Sequence, residues 1–513
     1  MKKIIIAAAT VAVAALALSG CSGGSTAKKD TTLTIALASA PISLDPSKAA
    51  VGLYTNYVDP TYASLLNRAN DGKIIAGLAD KWGYKGTGNK KFEVHLRSGL
   101  KFADGTPLTA KDVVASIEYF RTGSGGGASY YKAFTFATPD THTVDIISPV
   151  ANPSIPDLLL PENLGGAIIS PAGLKNPTKL ASGTYGAGQY VYSAAKSVTN
   201  DHYVFTPNKY YWDQQAIHYK SITIRVIANV NSQLAALRSG QIDFMAGNAD
   251  VAAAVKGSAT IVTKTQPSLW AGLYLLDRNG QVVPAMKDVR VRQALNYAVD
   301  RAAITKAVYG AYGQPVDQPA VPGFDGYDKS LESRYPYDPA KAKKLLAAAG
   351  FGSGLTIPVN YGSFDPDNTK MVQAVQDQLS KVGVTLQLTA STNFGGWVGD
   401  LVSKKFAATI LSPGAGGGSA YGAVQSTFLP TGIMNLYGVE SPEMTAAFNA
   451  LSTVDAAGEA AAARKTTKIA VDQALSLPIS TADTVILYNK KLQNVTFPLQ
   501  SSNPTYVTQW DSK

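Results

Sequence analysis

Histidine and cysteine side chains can bind metals and act as bases or nucleophiles, and this chain of 513 residues contains four histidines and one cysteine. No two histidines have the His-x-x-x-His spacing that places two ligands on one helix face, since they are His95, His142, His202 and His218. The stretch 186–188, Gly-Ala-Gly, is only part of a dinucleotide-binding fingerprint. These patterns favour a binding protein over an enzyme, and they predict no cofactor and no metal.

Cys21, the single cysteine, ends an apolar N-terminal segment. Lysines at 2 and 3 precede an uncharged run over 4–18, and small residues occupy 19 and 20, an order that is typical of a signal peptide. The sequence Leu-Ser-Gly-Cys at 18–21 resembles the bacterial lipobox, whose cysteine receives a diacylglyceryl group. The alternatives are an ordinary signal peptide or an N-terminal membrane helix, but the run is short for a span of about 20 residues. We expect a signal peptide over 1–20 and a lipidated tether over 21–31, which anchors the protein at the outer face of the cytoplasmic membrane, on its extracellular or periplasmic side.

The basic charge of the chain is spread along the sequence. There are 46 Lys and Arg against 36 Asp and Glu, a formal net charge of +10, but never more than two Lys or Arg in a row. A nucleic-acid-binding protein usually concentrates its positive charge on one face, so we expect no nucleic-acid partner. The length exceeds what one compact core accommodates, which predicts more than one domain.

Apolar periodicity indicates strands that alternate with helices. Apolar residues at every second position predict strands over 33–37, 92–96, 222–226 and 385–388. Helical spacing, with capping residues at several ends, predicts helices over 232–239, 291–309, 339–349 and 371–382. This alternation implies an α/β protein. Four charged residues within or next to the second of these helices could be paired surface charges, or could serve packing and salt bridges at a helix face: Arg290, Arg292, Asp300 and Arg301.

Six sequence motifs occur in a fixed order along the chain. The longest reads DVRVRQALNYAVDR, and together they occupy 41–46, 77–82, 92–113, 208–212, 237–243 and 288–301. In order and spacing they resemble the family 5 extracellular solute-binding proteins, the receptors of peptide, oligopeptide and nickel ABC importers. The resemblance extends from about residue 33 to near the C-terminus.

The resemblance implies a two-lobed α/β fold of the periplasmic-binding-protein type (type II, cluster C), with an extra subdomain inserted in the first lobe. On this basis lobe I comprises 32–72, 190–265 and 491–513, the inserted subdomain 73–189, and lobe II 266–490. A ligand is expected in the cleft between the lobes, and the partners are expected to be the permease subunits of an ABC transporter. The resemblance also implies a monomer that needs no cofactor.

The same resemblance places candidate ligand contacts in several segments. An edge at about 50–54 would pair with an extended ligand, and aromatic rings would come from the inserted subdomain and from both sides of the lobe boundary. Each of these residues could instead be part of the core. The Gly- and Ser-bearing surroundings of Trp270 and Trp397 favour these two. The candidates are Val51, Gly52, Tyr54, Tyr130, Tyr131, Trp270, Tyr274, Phe394, Trp397, Ser412 and Gly414.

One segment departs from the pattern of the peptide-binding members. These carry a Trp followed by an acidic residue that holds the amino terminus of the peptide, whereas 410–421 reads ILSPGAGGGSAY. Burying an ammonium group without an anion costs several kcal/mol. We therefore predict a ligand that is not a free-amino-terminus peptide held in the usual way, with a neutral or anionic ligand fitting better. The absence of a histidine cluster argues against nickel.

Three alternative functions remain open. One is an oligopeptide or dipeptide receptor with atypical recognition of the amino terminus, and a second is a ligand sensor built on the same fold. The third, an exported hydrolase, would need a nucleophile beside a base or a pair of acids.

Overall fold

The computed structural model describes residues 31–49, 52–124, 127–411, 419–498, 501 and 503–512, so the predicted signal peptide and Cys21 lie outside it. The α-helices are α1 Ala110–Phe120, α2 Ile155–Leu158, α3 Pro171–Lys175, α4 Val230–Arg238, α5 Ala249–Ala254, α6 Val289–Tyr297, α7 Arg301–Tyr309, α8 Pro339–Ala348, α9 Pro366–Ser380, α10 Phe394–Val402, α11 Ala420–Phe428, α12 Pro442–Thr453 and α13 Ala456–Asp472. The strands are β1 Thr32–Leu37, β2 Leu66–Arg68, β3 Ile74–Ala76, β4 Ala79–Lys85, β5 Lys91–Leu96, β6 Thr135–Ala137, β7 Thr143–Ile147, β8 Tyr190–Tyr192, β9 His202–Pro207, β10 Ser221–Val226, β11 Phe244–Gly247, β12 Ile261–Leu275, β13 Leu355–Gly362, β14 Val384–Ser391, β15 Ala408–Leu411, β16 Leu477–Asn489, β17 Leu492–Gln493 and β18 Asp511–Ser512.

Ten of these strands form one mixed sheet in the order β14-β13-β15-β12-β16-β11-β1-β10-β9-β8. Strand β1 is parallel to β10 and β11, and β13 is parallel to β14 and β15. Parallel neighbours need a crossover connection, which α9 supplies between β13 and β14. Helix α4 likewise connects β10 to β11, the two parallel strands that flank β1. The α/β architecture predicted from the sequence is therefore present.

Two long strands, β12 and β16, connect the halves of this sheet. They pair antiparallel along most of their length. At one end β16 also pairs with β11 through residues 485–488, and at the other end β12 also pairs with β15 through residues 272–275. Between these ends the β12–β16 register shifts at Pro267–Leu269 and at Ala271–Gly272. The two halves are thus the bases of lobe I (β1 and β8–β11) and lobe II (β13–β15), and the irregular two-stranded segment forms a hinge that can absorb bending.

A separate antiparallel sheet, β4-β5-β7-β6, lies in the segment 73–189. In β5 the burial alternates, because Phe92, Val94 and Leu96 face the core. Helix α1 begins at a capping box, in which the backbone N–H of Thr109 donates to Asp112 Oδ2 at 2.8 Å. The ranges given above for lobes and subdomain remain a proposal. Residues 485–488 already pair with β11, a strand of lobe I. This pairing favours a return of the chain to lobe I before residue 491.

The single helix predicted over 291–309 is wrong, because this segment forms two helices. Helix α6 ends at Tyr297, and α7 begins at Arg301. Asp300 causes the break, since its side chain accepts a hydrogen bond from the N–H of Ala303 at 3.0 Å and so caps a new helix. The apolar spacing continues across the break, which is why periodicity alone does not reveal it.

The interpretation of Arg292 and Arg301 as paired surface charges is also wrong. Both side chains are buried, and burial lowers the pKa of each to about 10. Arg292 donates to the carbonyl oxygens of Gln473 and Ala474 at 2.9 and 3.1 Å, and Arg301 donates to that of Pro478 at 2.8 Å. These carbonyls lie where the chain enters β16, so the two arginines hold helices α6 and α7 against the start of this strand. The neighbouring Arg290 does form an exposed ion pair, with Asp288.

Candidate ligand-binding cleft

Three residues predicted as ring contacts, Trp270, Tyr274 and Trp397, lie in one apolar cluster of lobe II. The rings of Trp270 and Tyr274 stack with their centroids 4.2 Å apart and their planes inclined by 20°. Trp397 of α10 donates from Nε1 to Thr409 Oγ1 at 3.1 Å. All three are buried, although the glycine and serine residues around Trp270 and Trp397 suggest more open surroundings. Their role as ligand contacts stays a prediction.

Trp270 lines a cavity of about 70 Å³, which we call the apolar cavity. Its other walls come from α11, from two threonines of α13 and from the loop 319–326. The apolar wall residues besides Trp270 include Val321, Phe324, Val424 and Phe428. Helix α11 turns one face to this cavity, because residues 420, 423, 424 and 427 follow helical spacing.

The other face of α11 lines a second cavity of about 420 Å³, which we call the interlobe cavity. Its far wall belongs to the segment 127–163 and includes Tyr130 and Asp157, and its near wall includes Tyr421 and Gln425. Ser419 lines both cavities and caps α11, accepting from the N–H of Gly422 at 3.1 Å. The two cavities therefore meet at the first turn of α11.

Tyr130 and Tyr131 are adjacent in sequence but differ in surroundings. Tyr130 is partly buried and lines the interlobe cavity. Tyr131 is 1% exposed, and its hydroxyl donates to the carbonyl oxygen of Leu158. Its ring also packs edge-on against Phe120. This is the environment of a core tyrosine, so only the first of the pair faces a cavity.

The segment 50–54 is expected to supply an edge that pairs with an extended ligand. Its described part is instead helical. Gly52–Tyr57 forms a 3-10 helix, and the backbone N–H of Val58 then donates to the carbonyl oxygen of Thr55 at 2.8 Å. Local turns of this kind use backbone groups that an extended ligand would need. Tyr54 is half-buried, and its hydroxyl oxygen accepts from Ser39 Oγ at 2.9 Å.

The structure does not describe the side chains of the remaining predicted contacts. Val51, Ser412 and Gly414 lie outside the described residues, and so does the side chain of Phe394, whose backbone begins α10.

Carboxylates from distant parts of the chain collect around the two cavities, and nothing in the sequence pattern predicts this. Asp157 lines the interlobe cavity, Asp325 lines the apolar cavity, and Glu459 lies in the first turn of α13. Burial raises the pKa of Glu459 to about 7, and the charges of Asp157 and Asp325 add to this effect. Burial also raises the pKa of Asp157, although Arg68 opposes the rise. Arg68 pairs with Asp157 at 2.7 Å and with Glu162 at 3.3 Å. The surroundings are therefore rich in negative charge.

Direct hydrogen bonds join lobe II to the segment 73–189 across the cleft. Asn89 Nδ2 donates to the carbonyl oxygens of Ser452 and Val454, at 3.2 and 2.8 Å. Tyr421 of α11 donates from its hydroxyl to the carbonyl oxygen of Ala151 at 3.2 Å. Asn89 occupies the left-handed region at φ +49°, in the turn between β4 and β5. These contacts bring the two walls of the interlobe cavity together.

Within the part of the chain that the structure describes, no group of three or more His, Cys, Asp or Glu side chains is arranged to hold a metal ion. A search of the same residues finds no helix with both the length and the apolar character that crossing a bilayer requires.

The fold is that of a two-lobed binding protein, with cavities on both faces of α11. Residues 73–435 match the family model described as bacterial extracellular solute-binding proteins, family 5 Middle. The chain therefore belongs to the family 5 extracellular solute-binding proteins, as its six motifs predict. At this level its function is to bind a solute outside the cytoplasm for an ABC importer.

Individual relatives support this assignment. The chain is 27% identical over 375 residues to the probable D,D-dipeptide-binding periplasmic protein of Escherichia coli K12, covering 70% of each chain. It is 28% identical over 361 residues to a glutathione-binding protein of Pectobacterium atrosepticum, covering 69% of this chain and 68% of the relative. Its fold is similar to that of HbpA2 from Haemophilus parasuis, with a TM-score of 0.80, 21% identity, and coverage of 94% of this chain and all of the other. The predicted two-lobed fold with an inserted subdomain is thus confirmed.

Proposed function

We propose that this protein is a lipid-anchored receptor that captures a solute between α11 and the inserted subdomain and delivers it to the permease subunits of an ABC importer. The observation that carries the proposal is the position of α11, which lines both cavities and reaches the inserted subdomain through Tyr421. A ligand at this helix would touch both lobes. It would favour the closed state by the difference between its affinities for the closed and open forms.

Ligand contact from Trp270, and from Tyr130 across the cleft, is part of this proposal. Tyr274 and Trp397 would act behind Trp270 by fixing its ring, because Tyr274 stacks on it and Trp397 lies in the same cluster. A rigid aromatic wall loses little entropy on binding, which raises affinity.

The relatives do not define the ligand, since one is named for D,D-dipeptides and another for glutathione. The stretch 410–421 contains no acidic residue, so we infer that the ligand is not a free-amino-terminus peptide held by this stretch. The carboxylates of Asp157, Asp325 and Glu459 argue against the anionic ligand considered from the sequence. A peptide receptor whose amino-terminus recognition is atypical, or a sensor with the same fold, remains the alternative.

Cys21 would carry the lipid that holds the receptor at the outer face of the membrane. A flexible tether would raise the effective concentration of the binding lobes at the transporter. In a Cys21→Ala variant the protein should be released or remain unprocessed, while its ligand affinity stays unchanged. Membrane fractionation together with calorimetry tests both parts, and an affinity that falls with anchoring would contradict the separation of roles.

The most direct test of solute capture is native mass spectrometry of the purified mature chain. We expect a small molecule to co-purify in a one-to-one complex and to raise the melting temperature when it is added back to the unfolded-and-refolded protein. A chain that retains no molecule, and that no metabolite from a transport-substrate panel stabilises, would contradict the receptor function.

A further inference from the structure

The interlobe cavity has the size of a small-molecule site. Its volume of about 420 Å³ falls within the range of roughly 300–1,000 Å³ that is usual for such pockets. One wall belongs to the segment 127–163 and the other to the segment 419–433. The apolar cavity on the other face of α11 is much smaller, at about 70 Å³, so most of a solute would lie in the interlobe cavity.

Both walls of the interlobe cavity carry polar side chains whose hydrogen-bonding capacity is not used inside the protein. Ser148 is only 3% exposed and lines the cavity, and its hydroxyl makes no hydrogen bond to a described residue. The hydroxyl of Tyr130, in the same wall, also has no hydrogen-bond partner within the described part of the chain. On the opposite wall, the half-buried side-chain amide of Gln425 is in the same position, judged over the described residues. Leaving such groups unpaired costs free energy, and a solute that reaches both walls would supply their partners.

The charge of the cavity lining is low. Its described residues include one carboxylate and no basic side chain, and that carboxylate, Asp157, already pairs with Arg68 at 2.7 Å. The stretches that adjoin Gly127 and Ser419 in the sequence, 125–126 and 412–418, contain only glycine, serine, proline and alanine. An anionic solute group would lie against Asp157, and a cationic one would compete with Arg68 for it. Burying a charged group without a partner of its own is costly, so a neutral group fits this cavity best.

The free side chains set a second requirement on the solute. The hydroxyls of Tyr130 and Ser148 and the amide of Gln425 can each donate and accept hydrogen bonds. Hydroxyl and amide groups of a solute have the same double capacity. The partly buried ring of Tyr130 adds an apolar face against which such a solute can pack.

We propose that the solute is uncharged where it lies in the interlobe cavity and that it presents hydroxyl or amide groups to both walls. Ser148 and Tyr130 bind it from the inserted subdomain, and Gln425 binds it from α11. This inference rests on the proposed function, because it names the chemical class of the solute that the same cleft takes. It keeps the neutral ligand of the sequence prediction, excludes the anionic one and adds the residues that select it.

Two matched sets of probes test the proposal and separate hydroxyl from amide recognition. The sugar set is methyl glucoside (neutral), glucosamine (cation) and glucuronate (anion). The peptide set is N-acetyl-alanyl-alanine amide (neutral), alanyl-alanine amide (cation) and N-acetyl-alanyl-alanine (anion). Each probe is titrated calorimetrically into the mature chain freed of co-purified solute.

We expect the neutral member of one set to bind roughly 10-fold more tightly than its charged counterparts, because only the charged probes bring an unpaired charge into the cavity. The set that shows this preference identifies the groups that the cavity recognises. A preference for a charged member, equal affinities within both sets, or no binding of any probe would overturn the proposal.

Substitutions on opposite walls supply the second arm. Gln425→Met removes the amide at nearly constant length, and Ser148→Ala removes the buried hydroxyl. Each should weaken binding of the preferred neutral probe roughly 3- to 10-fold, the loss expected for one hydrogen bond. Gln373→Met, at an exposed position of α9, is the matched control and should bind normally. Unchanged affinity in both variants, when folded, would show that the inference is wrong.

Failure of this inference can be told apart from failure of the proposed function. If native mass spectrometry finds a captured solute that is charged throughout or lacks hydroxyl and amide groups, the receptor function stands and the solute class is wrong. If the protein captures no solute at all, the receptor function itself fails.

Discussion

The two faces of α11 differ in how their cavities are built. The apolar cavity is lined by residues of lobe II together with Leu269 and Trp270 of the hinge strand β12. The interlobe cavity has one wall in lobe II and the other in segment 127–163, and it exists because contacts such as Tyr421 to Ala151 bring these walls together. Opening at the hinge would therefore leave the walls of the apolar cavity together, whereas it would separate the walls of the interlobe cavity.

This difference implies an order of events. A ligand group can enter the apolar cavity while the lobes are apart, and closure then completes the contacts from the inserted subdomain. Changes inside the apolar cavity should thus affect every ligand. Changes that affect only closure should affect extended ligands more than small probes.

The largest effect is expected from filling the apolar cavity. Ala423 lines it from α11, and Ala423→Phe would occupy the space of the ligand. Affinity for the co-purified solute should fall about 100-fold or more, which corresponds to roughly 3 kcal/mol. Calorimetry measures the change. Ala450→Phe, at an exposed position of α12, is the matched control and should bind normally. Normal binding by a folded Ala423→Phe protein would show that the ligand lies elsewhere.

A second prediction concerns the hinge. A Cβ atom on Gly272 would lie 2.3 Å from the carbonyl oxygen of Leu477, so β12 and β16 cannot keep their pairing in Gly272→Ala. The free energy of unfolding should fall by about 2 kcal/mol or more, as denaturant titration would report. Gly83→Ala is the control, since that strand glycine has open space around its Cβ position. Equal stabilities of the two variants would mean that the close approach of the β12 and β16 backbones at Gly272 does not matter for stability.

A smaller effect is expected at the contact that bridges the cleft. Asn89→Gly keeps a residue that tolerates positive φ but removes both hydrogen bonds to lobe II. Loss of these bonds should weaken binding of the co-purified solute several-fold, by about 1 kcal/mol. Asn200→Gly, at an exposed turn with φ +66°, is the control. Unchanged affinity in a folded Asn89→Gly protein would contradict a role for this contact in solute capture.

The smallest effect concerns pH. The neighbours of Glu459 are Asp157 and Asp325, which raise its pKa, Arg68, which lowers it, and Tyr84. Because the folded-state pKa of about 7 lies above the ordinary value, the neutral form stabilises the fold at low pH, and this contribution is lost as pH rises towards 7. Glu459→Gln should raise the free energy of unfolding near pH 8 by roughly 1 kcal/mol and change it little near pH 5.

Denaturant titrations at both pH values check this expectation. Glu443→Gln, in the first turn of α12, provides a control at a different helix start. A gain for Glu459→Gln that is the same at both pH values would contradict the raised pKa.

Local signals account for most of what the sequence predicts correctly. Asp338 caps α8, and Gly350 follows it at φ +90°, because caps depend on residues only a few positions apart. The family motifs then supply the two-lobed fold.

The site depends on contacts between segments that lie far apart in the chain. Arg292 resembles a surface residue of an amphipathic helix until the carbonyls of residues 473–474 are seen to surround it. Tyr130 and Tyr131 are chemically identical, and only the packing of Tyr131 on Phe120 separates them. The carboxylates of Asp157, Asp325 and Glu459 meet through folding alone, so no local pattern predicts their proximity.

The central claim is that the solute is bound at α11, between the two lobes. A crystal structure of the mature chain with its co-purified solute tests it most directly. We expect the solute in contact with Trp270 and Phe428, with the hydrogen bonds of Asn89 to lobe II intact. A solute bound away from α11, with the apolar cavity empty, would contradict it.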